Sequence, residues 1–354
     1  MKKVMVGVSG GVDSAVSSSL LKKQGYEVIG ATMKLFEGNE KTLLDAKNVC
    51  DKLEISHHVK DLKKEFKNNV IDTFIDYYSN GLTPNPCTAC NKTIKFGAFY
   101  DFAMELGCDY LATGHYARIA FSEKYNQFVI KKPSNEKKDQ TYFLYGIKKE
   151  QIPHIIFPLS EFESKDEVRK IAKEIGIPVA EKKDSQEICF IPDKDYKSFI
   201  LKEESMKVKI NQIKTGNICL ETGEILGKHK GLMHYTVGQR KGLGLSYKVP
   251  LFVTNLDVEN NKVIVGEEKE LYSNILIAKD LNWQIDFNSI EKDNIFAKIR
   301  YAAKETKVKL EFSGDIVKVV FDTPQRAITK GQAVVFYDNT GILLGGGTIE
   351  EATC

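Results

Sequence analysis

A short apolar run, Lys3 to Val8, leads into Ser9-Gly10-Gly11-Val12-Asp13-Ser14, then a helical pattern from Asp13 to Lys23 ending near Gly25, then a second apolar run from Glu27 to Leu35. Strand, glycine turn, helix and strand in that order make a βαβ unit, and such a unit implies a parallel sheet. The pattern continues: Asp45 to Leu53 reads as helix, Ile55 to Val59 as strand, Phe66 to Tyr78 as helix, and Ile94 to Leu106 as a helix feeding the strand Tyr110 to Thr113. The expected architecture is a doubly wound α/β domain that binds ligands at the carboxyl ends of its strands.

At 354 residues the chain exceeds what one core usually serves, so two or three domains are expected. Ser164 and Glu167 form a capping-box pattern opening a helix through Ile175, stopped by Gly176 and Pro178; the α/β pattern ends near Pro192. Short β-like runs follow: Asn217 to Leu220, Leu251 to Asp257, Lys262 to Gly266, Asn294 to Tyr301, Lys307 to Phe312, Val317 to Phe321 and Gln332 to Tyr337. They suggest small β units or a barrel. Lys202 to Lys214 reads as a linker or a solvated helix.

With 42% hydrophobic and 28% charged residues the chain is neither disordered nor a fibrous or disulfide-scaffold protein. A net charge of +3 hints only weakly at a polyanionic partner. No apolar run is long enough to span a membrane and no signal-peptide pattern opens the chain, so a cytoplasmic protein is expected. Seven irregularly spaced cysteines then read as reduced thiols.

The loop at Ser9 to Ser14 aims backbone N–H groups and a helix N-terminus at an anion. It lacks the lysine of G-x-x-x-x-G-K-[ST], and it is not a Rossmann fingerprint. The strand, S-G-G-x-D-S and helix resemble the PP-loop ATP pyrophosphatases; the alternative is a glycine turn with Asp13 or Ser14 as a helix cap. The strand-end rule would set Met33 and Gly114 against adenosine.

Two thiols stand out. Thr83-Pro84-Asn85-Pro86-Cys87-Thr88-Ala89-Cys90-Asn91 is a proline-stiffened loop entering a helix near Ile94, which sets Cys90 close to a helix N-terminus and predicts a lowered thiol pKa. By itself C-x-x-C also serves zinc, redox and iron–sulfur sites. Cys189, in Ile188-Cys189-Phe190-Ile191, reads either as reactive or as a core thiol. Cys50, Cys108, Cys219 and Cys354 receive no function.

Six segments together resemble one family: G-V-S-G-G-V-D-S (Gly7 to Ser14), N-P-C-x-x-C-N-x-x-I-K-F (Asn85 to Phe96), A-T-G-H-Y-A-R (Ala112 to Arg118), K-D-Q-T-Y-F-L (Lys138 to Leu144), I-C-F-I (Ile188 to Ile191) and Y-T-V-G-Q-R-K-G-L (Tyr235 to Leu243). Their order over nearly the whole chain is similar to that of the tRNA 2-thiouridylases, which thiolate the anticodon wobble uridine. The resemblance implies a PP-loop domain at 1–198, a small central domain at 199–270 and a C-terminal β-barrel at 271–354. ATP would lie on Gly7, Val8, Ser9, Gly10, Gly11, Val12, Asp13, Ser14, Met33 and Gly114, with magnesium accompanying it. Cys90 would be the nucleophile and Cys189 the persulfide carrier. Asn85, Pro86 and Cys87 would meet the target base; His115, Lys138, Asp139, Gln140, Arg300, Tyr301 and Gln332 would meet tRNA.

The implied chemistry moves AMP from ATP to the uridine C2 oxygen, then delivers sulfur from a Cys189 persulfide, leaving a Cys90–Cys189 disulfide for a reductant to open. A cysteine desulfurase or sulfur-relay protein would load the persulfide. The alternatives are an iron–sulfur cluster on Cys87, Cys90 and Cys189, and a small-molecule PP-loop ATP pyrophosphatase. Lys131, Lys132, Lys137 and Lys138 read as an RNA contact or a solvated loop, His115 as an RNA contact or a structural histidine, and Gly238 to Gly242 as an RNA contact or a β-turn.

Overall fold

The fold is taken from a computed structural model of the chain, which describes residues 1–177, 188–191, 195–203 and 214–353. Strands β1 (Lys3–Gly7), β2 (Glu27–Lys34), β3 (Ser56–Asp61) and β4 (Tyr110–Ala112) belong to one parallel sheet. An antiparallel hairpin, β5 (Arg118–Ser122) and β6 (Gln127–Lys131), precedes β7 (Ile155–Ile156), which joins the sheet beside β4. The order β3-β2-β1-β4-β7 reverses direction at β1. That reversal opens a crevice at the carboxyl ends of β1 and β4, where a doubly wound sheet holds its ligand. Val4, Met5 and Val6 are fully buried, because helices cover both faces of β1.

Helix α1 (Val12–Lys23) leaves the crevice, and α2 (Glu40–Lys52) leads to β3. Next come α3 (Lys63–Phe66), a π-helical stretch Lys67–Ile71 and α4 (Asp72–Ser79). A second such run joins α5 (Pro86–Cys90), the π-helical Asn91–Ala98 and α6 (Phe99–Glu105). Helices α7 (Lys165–Glu174) and α8 (Tyr196–Lys202) follow.

The four-stranded central sheet has the order β10-β11-β8-β9, from β8 (Gly216–Leu220), β9 (Ile225–His229), β10 (Phe252–Asp257) and β11 (Lys262–Gly266). Its own core includes Ile218, Leu232, Val253, Val263 and Val265. Six strands close the barrel: β12 (Tyr272–Trp283), β13 (Ile295–Lys298), β14 (Thr306–Ser313), β15 (Ile316–Arg326), β16 (Ala333–Asp338) and β17 (Leu343–Thr353). Alternate residues Leu276, Ala278, Val317 and Val319 fill its interior, the period of two that a closed sheet demands.

The barrel is bolted to the first domain by polar contacts. Tyr142 Oη donates to the Ala333 carbonyl (2.9 Å), and Gln284 Nε2 donates to the carbonyls of Leu144 (2.9 Å) and Ile147 (3.2 Å). Tyr125, in the β5–β6 turn, donates to Asp338 (3.2 Å).

The α/β opening and the C-terminal barrel are as expected from sequence. Strands β9, β12, β17 and the β5–β6 hairpin were not anticipated. The helix expected from Ile94 begins at Pro86, two turns earlier. Ser164 does cap α7, accepting from the Glu167 N–H (3.3 Å), while its hydroxyl donates to the Glu167 carboxylate (2.7 Å). The boundary near Pro192 and most of Lys202 to Lys214 lie outside the described residues. No helix among the described residues is long and apolar enough to cross a membrane.

Candidate active site

The loop after β1 turns at Gly10, where φ is +66° and an added Cβ would stand 2.6 Å from the Asp45 Cβ, so only glycine fits. Ser14 Oγ accepts from the Ser9 N–H (3.2 Å) and donates to the Gly11 carbonyl (3.1 Å), holding the loop closed on itself. The N-cap of α1 is Gly11, and no side chain caps it. The Asp13 or Ser14 cap considered from sequence is therefore absent, and the first N–H groups of α1 remain oriented for an anion. Asp13 instead receives the Lys165 ammonium on both carboxylate oxygens (2.6 Å each) and the Tyr116 hydroxyl (3.1 Å). Gly114, just beyond β4, lies against the start of α1: a Cβ there would sit 3.0 Å from the Asp13 Cβ. Gly7 and Val8 lead into the loop, and Met33 is half-buried near the end of β2.

Asn85 is the N-cap of α5 and accepts from the Thr88 N–H (3.3 Å), with Pro86 at the first helical position, where its missing N–H costs nothing. Cys87 thus occupies the first turn, and Cys90 lies a turn further in. The helix then widens into its π-helical stretch, and the Asn91 amide and Thr93 hydroxyl donate to the carbonyls of Cys87 (3.0 Å) and Ala89 (2.8 Å), four residues back. Asn91 is itself buried.

Cys189 is exposed, which removes the core-thiol reading. Its neighbours are the buried ones: Phe190 packs against Phe66 (5.6 Å), Phe74 (5.6 Å) and Phe199 (5.3 Å), and Ile191 joins the same core. Phe190 is an anchor that leaves the preceding thiol at the surface. Cys87 is also exposed, whereas Cys90 is 8% exposed. Cys90 senses the charges of both Cys87 and Cys189, so the three thiols form one electrostatic cluster.

Burial pushes the Cys90 thiol up to about 12, against the lowering expected from sequence, because Cys90 itself is withdrawn from water and the helix N-terminus lies a turn away. Cys87 and Cys189 are also raised, mainly by burial: solvent reaches them at the mouth, but the walls still withdraw water from a thiolate. Lys95 opposes the rise in all three. Nothing in the sequence pattern alone marks Lys95 as part of the site; its signal is the five-residue spacing from Cys90, one turn of a π-helix.

Lys95 Nζ lies 3.4 Å from His115 Nε2. An ammonium only donates, so Nε2 accepts, the ring proton is on Nδ1, and Nδ1–H donates to Thr113 Oγ1 (2.7 Å). Burial and then Lys95 hold the His115 pKa well below its ordinary value, which keeps the ring neutral. His115 is buried against Phe96 and Phe157, the placement the structural reading expects.

Other residues expected at tRNA prove to be turned inward. Asp139 accepts from the Thr141 N–H (2.9 Å) and hydroxyl (2.6 Å), and Gln140 Oε1 accepts from the Tyr116 N–H (2.9 Å). Arg300 donates to the carbonyls of Arg326 and Ala327 (3.0 Å to the latter), and Gln332 to those of Thr83 (3.0 Å) and Pro84 (3.2 Å). Tyr301 is exposed and stacked on Phe143 at 4.8 Å, and Lys138, half-buried, ends the short 3-10 helix Glu136–Lys138 a few residues before Phe143. Lys132 is committed to Glu305 (2.7 Å). The Gly238 to Gly242 segment is a turn, its Gln239 side chain accepting from the Thr236 N–H (3.1 Å). Among the described residues no three His, Cys, Asp or Glu side chains are arranged to hold a metal ion.

Comparison with known proteins bears on the same segments. The family model described as the tRNA methyl transferase HUP domain matches residues 2–193, a tRNA methyl transferase PRC-barrel domain matches 205–267, and an aminomethyltransferase beta-barrel domain matches 273–349. The chain is 47% identical over 364 residues to the tRNA-specific 2-thiouridylase MnmA of Clostridioides difficile, covering 99% of both proteins. It is 50% identical over 361 residues to tRNA-specific 2-thiouridylase MnmA 1 of Clostridium tetani, covering 99% of this chain and 97% of that one. To the MnmA of Acetivibrio thermocellus it is 48% identical over 364 residues, covering 99% of both.

Proposed function

The chain belongs to the tRNA-specific 2-thiouridylase family, and from that premise we propose that it uses ATP to replace the C2 oxygen of an anticodon wobble uridine by sulfur. The observation that carries this reading is the cluster of Cys87, Cys90 and Cys189 around Lys95 in a domain whose sheet reversal holds an uncapped glycine loop. A small-molecule ATP pyrophosphatase has no need of paired thiols.

The first step activates the base. The uridine C2 oxygen bonds to the α-phosphorus of ATP, the bond to the β-phosphate oxygen breaks, and pyrophosphate leaves into the loop at Ser9 to Ser14. The α1 N-terminus supplies N–H donors to that anion. Magnesium would accompany the triphosphate and neutralise its charge; Asp13, the carboxylate of the loop, is already held by Lys165 and Tyr116.

The second step delivers sulfur. The terminal sulfur of a Cys189 persulfide attacks C2 and expels AMP. Cys90, as thiolate, then attacks the Cys189 Sγ, forming a Cys90–Cys189 disulfide and leaving the transferred sulfur on C2. An external dithiol reopens the disulfide, and a cysteine desulfurase or relay protein reloads Cys189. Cys189's exposure suits such loading, and Cys90's burial suits a thiol that acts only inside the closed complex. Asn85 and Pro86 precede this cluster in the chain, and with Cys87 they would receive the flipped base. Tyr301 and Lys138 are the residues expected at tRNA that are best disposed to meet it; Gln332, Arg300, Asp139 and Gln140 act by holding the frame.

The test is thiolation of an unmodified tRNA with ATP, magnesium and a desulfurase source, comparing wild type with Cys90→Ser and Cys189→Ser. The reading requires 2-thiouridine from wild type and none from either variant. ATP cleavage to AMP and pyrophosphate with tRNA untouched would refute the substrate while leaving the loop intact.

A further inference from the structure

The loop at Ser9 to Ser14 carries no lysine, so any cation beside an anion bound there must come from elsewhere in the chain. We propose that Lys165, the first residue of α7, supplies that cation and binds the departing pyrophosphate. The proposal rests on the reading of this site as ATP-using.

Lys165 is about 150 positions from the loop in sequence, yet its ammonium lies 2.6 Å from both oxygens of Asp13, the second residue of α1. Its side chain is only 10% exposed, and its Nζ lies 5.9 Å from the centre of the Tyr116 ring, while the Tyr116 hydroxyl bonds the same carboxylate. The root of the side chain is fixed as well. Ser164 caps α7 just before Lys165, and α7 lies against α1 through Val12, Val16, Val168 and Ala172, with Leu159 in the same core. Lys165 is therefore delivered to the loop by a packed interface, not by a mobile surface segment.

Electrostatics gives the pairing a purpose. An ionised Asp13 in the first turn of α1 would repel phosphate from the very N–H groups that attract it. The Lys165 ammonium cancels that charge, and its tetrahedral donors suit a phosphate oxygen beside a carboxylate. When the bond between the α-phosphorus and the bridging oxygen breaks, the electron pair leaves with pyrophosphate. The added negative charge then appears on a group bound beside Lys165. A lysine that merely stapled α7 to α1 would do none of this, and the two roles separate experimentally.

The experiment is calorimetric titration of the full chain with inorganic pyrophosphate and, separately, with AMP. Lys165→Met is expected to weaken pyrophosphate binding by about tenfold or more, the loss of one charge-assisted hydrogen bond, while AMP affinity stays within about twofold. Lys165→Arg should retain most of the affinity. Because Lys165→Met leaves the half-buried Asp13 carboxylate without its cation, the pair Asp13→Asn with Lys165→Met is measured too; it removes both charges and keeps the contact neutral. Pyrophosphate affinity near wild type in either the single or the double variant would overturn the proposal, the second result making the lysine a staple only. Wild type that binds neither AMP nor pyrophosphate would instead refute the ATP reading, and the proposal with it.

Discussion

Gln332 of the barrel holds Thr83 of the first domain: its side-chain amide donates to the Thr83 carbonyl at 3.0 Å and to that of Pro84 at 3.2 Å. The Thr83 N–H returns a bond to the Lys330 carbonyl (2.9 Å), and a Cβ on Gly331 would come within 3.1 Å of the Thr83 oxygen. The segment entering the cysteine helix is thus gripped from the barrel. Gln332→Leu should leave two half-buried carbonyls unpaired, costing about 1–3 kcal/mol. We expect the thiolation rate to fall with pyrophosphate affinity unchanged; equal losses in both would mean that the grip is not local to the cysteines.

Lys95→Met should raise the pKa of Cys90, Cys87 and Cys189 together, because Lys95 opposes the burial effect at each. The Cys90 thiol, already near 12, ionises more readily as pH rises. The alkylation rate of Cys90 should therefore climb with pH in wild type and climb at still higher pH in the variant, with Lys95→Arg close to wild type. Mass-spectrometric alkylation profiles that coincide for wild type and Lys95→Met would contradict this.

Gly10→Ala forces an alanine into φ +66° and its Cβ into the Asp45 Cβ at 2.6 Å. Backbone strain of this kind costs about 1–3 kcal/mol, and relief requires the loop to open. ATP and pyrophosphate binding should fall at least tenfold together with a lower melting temperature; an alanine variant that binds both normally would show the loop conformation to be incidental.

Phe190→Ala should destabilise by about 3–5 kcal/mol as the aromatic cluster with Phe66, Phe74 and Phe199 loses its centre. Phe190→Leu should keep most of the stability. Sulfur transfer from preloaded protein in a single turnover should track Phe190 packing, since the anchor sets where Cys189 stands. Full transfer by a destabilised Phe190→Ala protein would separate the two.

Much of the fold was legible because β1 is apolar on both faces and the glycine loop follows it directly. What escaped has physical causes. Strand β17 carries Gly345-Gly346-Gly347, which reads as a turn; in the structure a Cβ at 346 would strike the Tyr145 ring at 2.7 Å, and one at 345 the Asn282 carbonyl at 2.4 Å. Glycine there permits close approach, not a bend. Strand β12 is interrupted by Asp280 at φ +53°, so its alternation loses phase. At the site, both cysteine positions were readable from their motifs. Lys95 and Lys165 were not: the first depends on a π-helical turn that propensity does not signal, the second on packing between α1 and α7. Residues such as Gln332, Asp139 and Arg300 are matched by motif alone, and a motif does not say whether a polar side chain faces a ligand or a neighbouring carbonyl.

The π-helical stretch after Cys90 acts as a phase setting. An α-helix advances about 100° per residue, so the widened turn from Asn91 to Ala98 changes the angle at which everything downstream emerges. Removing one residue between Cys90 and Lys95 would restore ordinary helical spacing there and swing Lys95 by roughly that angle, away from the thiols and from His115. The sulfur chemistry is thereby keyed to a count of residues, and a single-residue deletion could silence the site while leaving every reacting group present in the chain.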